Sequence, residues 1–307
     1  MSKIEITNVT DAVFGNCVKM ANGIVELLVT VDFGPRVIHF SRVGMENMFH
    51  QDREMKPLGE KFPVYGGDIH KTYGGHRVWI SPEIMPRCYH PDNKPVAARP
   101  VANGMEFTAA VEEKNGIQKV LTVMLSDDSP GVTVINTVKN VGNWDIELAV
   151  WCLSVMAPGG KEVVPMPAVK SGLTHNRSIS LWEYTEMNDS RIYWGKDYIT
   201  LRQDPSRENP FKFGINSEEG WAAYFNRGQV FLKYFEPVPD GFYPDNGCSF
   251  ETYTNGDLLE IETLGELVYL APGESAEQTE EWELYEESEV PSDCEKEIKE
   301  IMDKYIQ

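Results

Sequence analysis

The chain has 307 residues, of which 48 are acidic and 28 are lysine or arginine, so its formal net charge at pH 7 is −20. This charge argues against nucleic-acid binding, which requires a broad basic face, but a small site can still be locally positive. Hydrophobic residues make up 41% of the sequence, which is typical of a globular protein, and at this length a sizeable core can be buried.

The predicted elements begin with β-strands, because short segments rich in Val, Ile, Thr, Tyr and Phe follow one another along the chain. GIVELLVTVDFGPRVIHFSRVG, residues 23–44, predicts two strands joined by a turn at Gly34-Pro35. Residues 105–156 predict four or five more, and Asn115-Gly116 is a hairpin-turn signal between them.

Strict alternation is clearest in PGVTVINTVKN, residues 130–140, where one predicted face holds Val132, Val134, Asn136 and Val138. Residues 229–238, 249–271 and 275–287 continue the strand pattern, and Asn255-Gly256 is a second hairpin signal.

Helical periodicity is convincing only at the end of the chain. Ser292 and Glu295 match a capping box, and apolar side chains then follow at helical spacing, at Ile298, Ile301, Met302 and Tyr305. We therefore expect an all-β fold, a large antiparallel two-sheet sandwich of about fifteen or more strands. Residues 1–290 would form one domain, and a C-terminal helix within residues 291–307 would pack on it.

Signals for export and membrane insertion are missing from the sequence. The first fifteen residues hold no apolar segment of signal-peptide length, and no window approaches the roughly 18 apolar residues of a membrane span. The five cysteines are widely spaced without a C-x-x-C pair, which predicts free thiols. We therefore expect a cytoplasmic protein with neither a membrane nor a nucleic-acid partner.

Nucleotide and hydrolase motifs are also missing, including the phosphate-cradling loop, the dinucleotide fingerprint, HExxH and G-x-S-x-G. His70 and His76 could share a metal ion with Asp68, but their six-residue spacing on an irregular segment is weak evidence. We expect neither a metal nor a cofactor.

Polar and aromatic side chains crowd into YGGDIHKTYGGHRVWISPE, residues 65–83. Its two Gly-Gly pairs allow positive φ angles and close backbone approach. Arg77 carries a fork of donors suited to a carboxylate, a phosphate or vicinal hydroxyls, and Trp79 offers a flat face for a sugar ring. We predict a ligand site here, with Lys71, His70 and His76 as further polar groups. The alternative is a plain ion pair between Arg77 and an acidic neighbour.

Carboxylates form the second candidate cluster. Glu260 and Glu262 lie two residues apart on a predicted strand and therefore share a face, and Glu251 lies on the preceding strand of the same hairpin. Clustered and buried carboxylates raise one another's pKa, and such a group can act as a general base. A solvated acidic face is the alternative.

Three segments resemble the galactose mutarotase-like superfamily, which includes aldose 1-epimerases and hexose-6-phosphate epimerases. These segments are VDFGPRVIHFSRVGMENMF, GGHRVWISPE, and LEIETLGELVYLAPGES followed by EQTEEWEL. They occur in the family's order across residues ~20–285, as a chance motif would not. The resemblance implies the supersandwich fold and a small-molecule carbohydrate as the ligand.

The resemblance also implies roles for particular residues. Family mutarotases use a Glu base and a His acid, without a metal or cofactor; the base matches Glu262, with Glu251 as a second possible match. Arg77 is the counterpart of an arginine that binds sugar hydroxyls. Trp151 occupies the position of the expected catalytic His. Either another group supplies the proton, with His76, His70 and His175 as candidates, or the protein is not an ordinary mutarotase.

Further candidates lie in the second half of the chain. His175 and Arg177, in GLTHNRSISLW, belong to a predicted loop over the same cleft, and Lys212 could face the ligand. If Arg77, His76, Lys71 and Lys212 converged, the site would suit an acidic or phosphorylated sugar.

The sequence favours an aldose 1-epimerase-like enzyme that interconverts sugar anomers. A carbohydrate-binding protein without catalysis, and lyase or glycosidase chemistry on the same fold, are the alternatives.

Overall fold

Residues 4–306 are described by a computed structural model, in which two large antiparallel sheets pack face to face. The strands within these residues are β1 (Glu5–Asp11), β2 (Gly15–Ala21), β3 (Val25–Thr30), β4 (Val37–Arg42), β5 (Gly75–Ser81), β6 (Ala97–Val101), β7 (Gly104–Thr108), β8 (Ile117–Leu125), β9 (Val132–Asn140), β10 (Ile146–Met156), β11 (Lys161–Pro165), β12 (Ile179–Leu181), β13 (Ile192–Trp194), β14 (Tyr198–Arg202), β15 (Phe211–Ile215), β16 (Trp221–Asn226), β17 (Gln229–Phe235), β18 (Phe250–Thr254), β19 (Leu259–Leu264), β20 (Val268–Leu270) and β21 (Ser275–Glu286). The helical segments are the C-terminal helix (Glu295–Met302), one turn at Pro244–Gly247 and 3₁₀ turns at Pro63–Tyr65 and Arg87–Tyr89.

The first sheet has eleven strands in the order β1-β2-β3-β4-β5-β10-β19-β18-β15-β12, with β20 also paired to β10. The second sheet has ten strands in the order β13-β14-β11-β16-β17-β21-β9-β8-β7-β6. Strands distant in sequence therefore meet at the centre of each sheet. The predicted all-β two-sheet sandwich is confirmed.

The main core lies between the two sheets. On β9 the residues predicted to share a face are buried and alternate with partly exposed ones, as the two-residue repeat of a strand requires. Aromatic rings from both sheets meet in this layer, where Phe40 of β4 and Phe49 contact Phe231 of β17 and Trp282 of β21. Edge-on ring contacts of this kind stabilise the interface beyond simple area burial.

The centre of the first sheet is covered on both faces. Every residue of β5 is buried, and so are nine consecutive residues of β10, Leu148–Met156. One face packs on the second sheet, while loops cover the other face and enclose a cavity there. This second covered face is where the candidate site lies.

All three predicted turns lie between neighbouring strands, and Asn115-Gly116 directly precedes β8 in the connection from β7. Gly34-Pro35 lies between β3 and β4, and Asn255-Gly256 lies between β18 and β19. In the second turn the Asn255 side-chain oxygen accepts hydrogen bonds from the backbone N–H groups of Asp257 and Leu258. Such a side-chain mimic of a backbone turn is the reason that Asn favours this position.

The C-terminal helix packs on the second sheet, and its cap differs from the predicted one. Ile298, Ile301 and Met302 are buried against a cluster that includes Val163 and Phe225. The predicted capping box is wrong: the helix begins after Cys294 without a side-chain cap, and Ser292 bonds to Glu297 instead. Residue 307 lies outside the described residues. No helix within residues 4–306 is long and apolar enough to cross a membrane.

We expect the helix to contribute to global stability through Ile298. Replacing Ile298 with Ala should lower the free energy of unfolding by about 2–5 kcal/mol, because a buried aliphatic side chain is lost and a void remains. Urea denaturation measures this. Lys296→Ala on the exposed face of the same helix should stay within ~0.5 kcal/mol of the parent protein. Equal effects of the two changes would mean that the helix is not part of the folding unit.

Candidate functional site

A cavity of about 530 Å³ lies on the loop-covered face of the first sheet. Its floor is formed by five adjacent strands, because residues two apart on one strand share a face and the register aligns them across the sheet. The floor side chains are Arg77, Trp79, Trp151, Leu153, Val155, Lys212, Tyr253, Glu260 and Glu262. The volume is in the range of small-molecule sites.

Aromatic side chains form much of the wall. They are Trp79, Tyr89, Trp151, Trp182, Tyr184 and Tyr253. The rings of Trp79 and Trp151 meet edge to face at 5.5 Å between centroids, and Trp79 meets Tyr89 in the same way at 5.2 Å. Three indoles and three phenols give the cavity flat apolar faces with polar edges.

One ammonium group lies between two buried carboxylates. The Lys212 Nζ is 2.7 Å from Glu251 Oε2 and 3.1 Å from Glu262 Oε2. Glu251 and Glu262 are directly opposite each other in the β18–β19 register, so without this cation two like charges would face each other. Lys212 also lies 4.7 Å from the ring centroid of Trp151 and 4.6 Å from that of Trp182.

Glu262 is bound through one carboxylate oxygen only. The indole N–H of Trp151 donates to Glu262 Oε2 at 2.9 Å, the same oxygen that Lys212 contacts. Glu262 Oε1 is buried and has no hydrogen-bond partner within residues 4–306, and the same holds for Glu251 Oε1. A buried carboxylate oxygen without a partner is costly in a folded protein, and ligand binding is one reason to keep it.

Burial and the ammonium act on these carboxyl groups in opposite directions. Burial raises the pKa of Glu251 well above its ordinary value and also raises the pKa of Glu262, while Lys212 lowers both. Burial alone would lower the pKa of Lys212, but Glu262 and Glu251 raise it above its ordinary value. Lys212 therefore stays charged, and the two carboxyl groups release their protons at higher pH than a free glutamate.

A second ion pair lies on the same floor. Arg77 Nη2 is 3.1 Å from Glu260 Oε1, and the guanidinium lies over the Trp79 ring at 4.5 Å. Arg77 Nε is buried and lacks a partner within the described part of the chain. The structure thus brings Arg77, Trp79, Glu260 and Glu262 to one cavity, with Glu251 directly behind Lys212; their roles stay predictions.

His76 is placed away from the cavity. It follows the strand alternation, so it points to the face opposite Arg77 and lies between the sheets. There its ring nitrogens are 2.9 Å from Ser154 Oγ and 2.8 Å from Asn136 Oδ1. Burial lowers the pKa of His76 to about 4. The expectation that His76 donates a proton to a ligand in this cavity is therefore corrected.

His70 is also unsuited to that role. It is buried beside Arg36 and Asp92, and its Nδ1 lies 3.1 Å from the His90 carbonyl oxygen. Burial lowers the pKa of His70 to about 3, despite the nearby Asp92 carboxylate. Its ring contacts Trp79 at 5.4 Å between centroids, but His70 is not part of the cavity lining.

The remaining cationic candidates also lie outside the lining. His175 is in an exposed loop, where the Arg177 guanidinium donates to the carbonyl oxygens of Pro167 and Lys196. The Lys71 ammonium lies over the Tyr73 ring at 5.9 Å. Of the cations expected to converge, Arg77 and Lys212 do so, and both are paired with carboxylates.

The sequence reasoning missed several lining residues. Trp182 and Tyr184 alternate around an acidic residue in SLWEYTEM, and Tyr253 lies just before the Asn255-Gly256 turn. The alternation of aromatic side chains in the first segment was a usable signal. Glu83 of the 65–83 segment also lines the cavity and accepts a hydrogen bond from the Tyr89 hydroxyl at 2.5 Å.

Metal binding finds no support in the geometry. Among residues 4–306, no three His, Cys, Asp or Glu side chains are grouped so that they could hold a metal ion. Asp68, His70 and His76 therefore do not form the cluster that their spacing allowed.

Solved structures share this architecture. One from Klebsiella pneumoniae, described as a candidate aldose 1-epimerase, has a TM-score of 0.61 at 12% identity over 98% of this chain and 86% of its own. A galactose mutarotase-like protein from Lactobacillus casei has a TM-score of 0.55 at 9% identity over 92% and 100%. This chain has the galactose mutarotase-like fold.

The mutarotase-like fold also occurs within a larger protein. A TPR-domain-containing protein from Parabacteroides distasonis matches with a TM-score of 0.60 at 13% identity over 88% of this chain, which spans 47% of that protein. No protein-family profile matches the sequence, and no curated protein does. At these identities the likeness shows the mutarotase-like fold, which agrees with the resemblance seen in residues ~20–285.

The buried histidines predict a loss of stability in acid. Since burial lowers the pKa of His70 to about 3, the unfolded chain binds a proton near pH 6.5 that the folded chain does not. Stability should therefore fall as pH decreases from 6.5 towards 3. His70→Gln should reduce this slope by up to about 1.4 kcal/mol per pH unit, measured by urea denaturation at several pH values. His175→Gln in the exposed loop should keep the slope of the parent protein, and identical slopes in both variants would contradict the prediction.

Lys212 should control how stability depends on alkaline pH. In Lys212→Met the pKa of Glu251 and Glu262 rises further, because burial is no longer opposed. A carboxyl group whose pKa is higher in the folded chain than in the unfolded chain stabilises the fold at low pH. This contribution is lost as the pH rises above the pKa of the unfolded chain, so the folding stability of the variant should fall between pH 5 and pH 8. We expect a loss of about 3–5 kcal/mol at pH 8 and a smaller loss at pH 5.

Two further variants make this test specific. Lys56→Met removes a cation from the cavity rim, where Lys56 pairs with the exposed Asp257, and should show little pH dependence. Adding Glu251→Gln to Lys212→Met should restore stability at pH 8. If the double variant is as unstable as the single one, charge repulsion is not the cause.

Proposed function

We propose that the cavity binds a neutral sugar ring and that the protein interconverts its anomers, with Glu262 as the general base. The observation that carries this proposal is the buried Glu262 Oε1 on the floor of an aromatic cavity, which has no hydrogen-bond partner within residues 4–306. The mutarotase-like fold supports a carbohydrate-related function as an analogy.

A neutral sugar fits the charges better than an acidic one. Lys212 and Arg77 are both paired with carboxylates of the cavity floor, and Lys71 and His76 lie elsewhere. The third cation of the lining, Lys56, pairs with Asp257 at the rim. An added carboxylate or phosphate would therefore enter a cavity whose cations are already matched by carboxylates. The flat faces of Trp79, Trp151 and Trp182 suit the apolar faces of a sugar ring.

In the proposed reaction Glu262 takes the proton of the anomeric hydroxyl group. The bond between the anomeric carbon and the ring oxygen breaks, its electron pair passes to the ring oxygen, and that oxygen gains a proton. The open-chain aldehyde rotates, and the reverse steps close the ring as either anomer. The raised pKa of Glu262 brings its basicity closer to neutral pH, where a general base is most effective.

The neighbours of Glu262 position it. Trp151 and Lys212 both hold Oε2, which leaves Oε1 as the oxygen that can accept a proton. With no histidine in the lining, the proton for the ring oxygen has to come from another side chain. Tyr184 and Tyr253 line the cavity, and burial raises the pKa of both hydroxyl groups, so they are protonated at neutral pH.

A carbohydrate-binding protein without catalysis is the second candidate function. It is favoured by one observation, the ion pair of Glu262 with Lys212, which stabilises the charged carboxylate and weakens it as a base. Binding without anomer exchange would distinguish this function from the first.

The test compares Glu262→Gln with the parent protein. Two-dimensional exchange NMR on free hexoses measures the anomer exchange rate, and calorimetry measures affinity. We expect the variant to lose about 100-fold or more in rate, since general-base catalysis contributes ~10²–10⁴-fold, while the affinity changes little. Glu277→Gln, an exposed carboxylate on β21, should keep the parent rate.

Each other outcome has a distinct meaning. Sugar binding by the parent protein without any exchange would support the binding-protein function and refute catalysis. Equal rates in Glu262→Gln and the parent protein would refute Glu262 as the base. If no neutral sugar in a panel gave heat of binding with the parent protein, the carbohydrate site itself would be refuted. Arg77→Ala serves as the binding-deficient control in these titrations.

A further inference from the structure

A second cavity, of about 320 Å³, lies at one end of the second sheet. It shares no lining residue with the first cavity. Four basic side chains line it, and the only carboxylate in the lining belongs to Asp293; the four are Lys161, Arg191, Arg202 and Arg227. In a chain with 48 acidic and 28 basic residues, such a local excess of cations is unusual and calls for a physical reason.

The sheet register places these cations in a row. Lys161 at the start of β11 is directly opposite Arg202 at the end of β14, and the Arg202 N–H donates to the Arg191 carbonyl oxygen at 2.9 Å. On the other side Lys161 is paired with Phe225 of β16, two residues before Arg227. Like charges directly opposite each other destabilise a sheet, and Asp293, which pairs with Lys161, is the one carboxylate of the lining that offsets this repulsion.

Three of the four cations are partly balanced by carboxylates. Lys161 Nζ is 2.6 Å from Asp293 Oδ1, and Arg191 Nη2 is 2.9 Å from Asp189 Oδ2. Arg227 has a weak contact of 3.7 Å with Glu46, whose side chain is 76% exposed.

The remaining donors are not satisfied within the protein. The Arg202 side chain is exposed and makes no hydrogen bond or ion pair within the described residues, although its charge acts on the nearby carboxylates of Asp293 and Asp204. Arg191 is 2% exposed, and its Nη1 has no partner within residues 4–306. A buried guanidinium nitrogen without an acceptor is costly, and a bound oxyanion would satisfy it.

We propose that this basic cavity binds the phosphate group of a small phosphate monoester. Guanidinium groups match the oxygens of a phosphate in forked geometry, and three of them line this one cavity. The apolar part of the lining, Phe225, Val290 and Pro291, would contact the organic part of the ligand. The site is independent of the sugar cavity and of its proposed reaction.

Calorimetry on the full chain tests this with glycerol 3-phosphate, inorganic phosphate and glycerol as probes. We expect glycerol 3-phosphate to bind, inorganic phosphate to bind more weakly, and glycerol not to bind. Arg202→Ala should weaken glycerol 3-phosphate binding by about tenfold or more, the effect of one charged hydrogen-bonding group. Arg99→Ala removes the same charge from an exposed pair with Glu106 and should leave the affinity unchanged.

Three results would overturn the proposal. The first is no heat from glycerol 3-phosphate up to about 10 mM, a concentration above the Kd of even a weak specific site. The second is an equal affinity of Arg202→Ala and Arg99→Ala for glycerol 3-phosphate. Binding that is abolished by Arg77→Ala but not by Arg202→Ala would have the same meaning, because it would place the phosphate outside this cavity. The third is inorganic phosphate binding as tightly as the monoester, which would refute the role of the apolar wall.

Discussion

The ammonium group of Lys212 allows two carboxylates to lie opposite each other in the middle of a buried sheet. Glu251 and Glu262 face each other across β18 and β19, and each is within 3.1 Å of the Lys212 Nζ. Without a cation at this point one carboxyl group would have to keep its proton or the strands would have to separate. The cavity floor, its charge and the free oxygen of Glu262 all depend on this arrangement.

Two separate polar systems lie against the two faces of the first sheet, and the one between the sheets comes mostly from β17 and β21 of the second sheet. Towards the second sheet, the buried Lys233 Nζ lies 2.8 Å from Glu280, which also accepts the Trp282 indole N–H at 2.9 Å, and His76 belongs to this inner layer. Towards the loops, Arg77 and Lys212 form the cavity floor. Since neighbouring residues of one strand serve different systems, His76 contributes to the core and Arg77 to the site.

Charge is distributed unevenly over a molecule whose net charge is strongly negative. In the first cavity the cations are matched by carboxylates, which suits a neutral ligand with hydroxyl groups. In the second cavity four cations share one carboxylate of the lining, and Arg191 Nη1 has no partner within the described residues, which suits an anion. Local pairing, rather than the total of −20, therefore decides what each cavity can hold.

The sequence by itself determined the fold class, because the two-residue alternation and the turn signals at Gly34-Pro35 and Asn255-Gly256 are local properties. It also placed Glu260 and Glu262 on one face, since that follows from strand geometry alone. It did not reveal that Lys212 neutralises Glu262, or that His76 and His70 are buried away from the cavity. Those features depend on which distant strands become neighbours, and only tertiary packing decides this, because loops of very different length can join the same pair of strands.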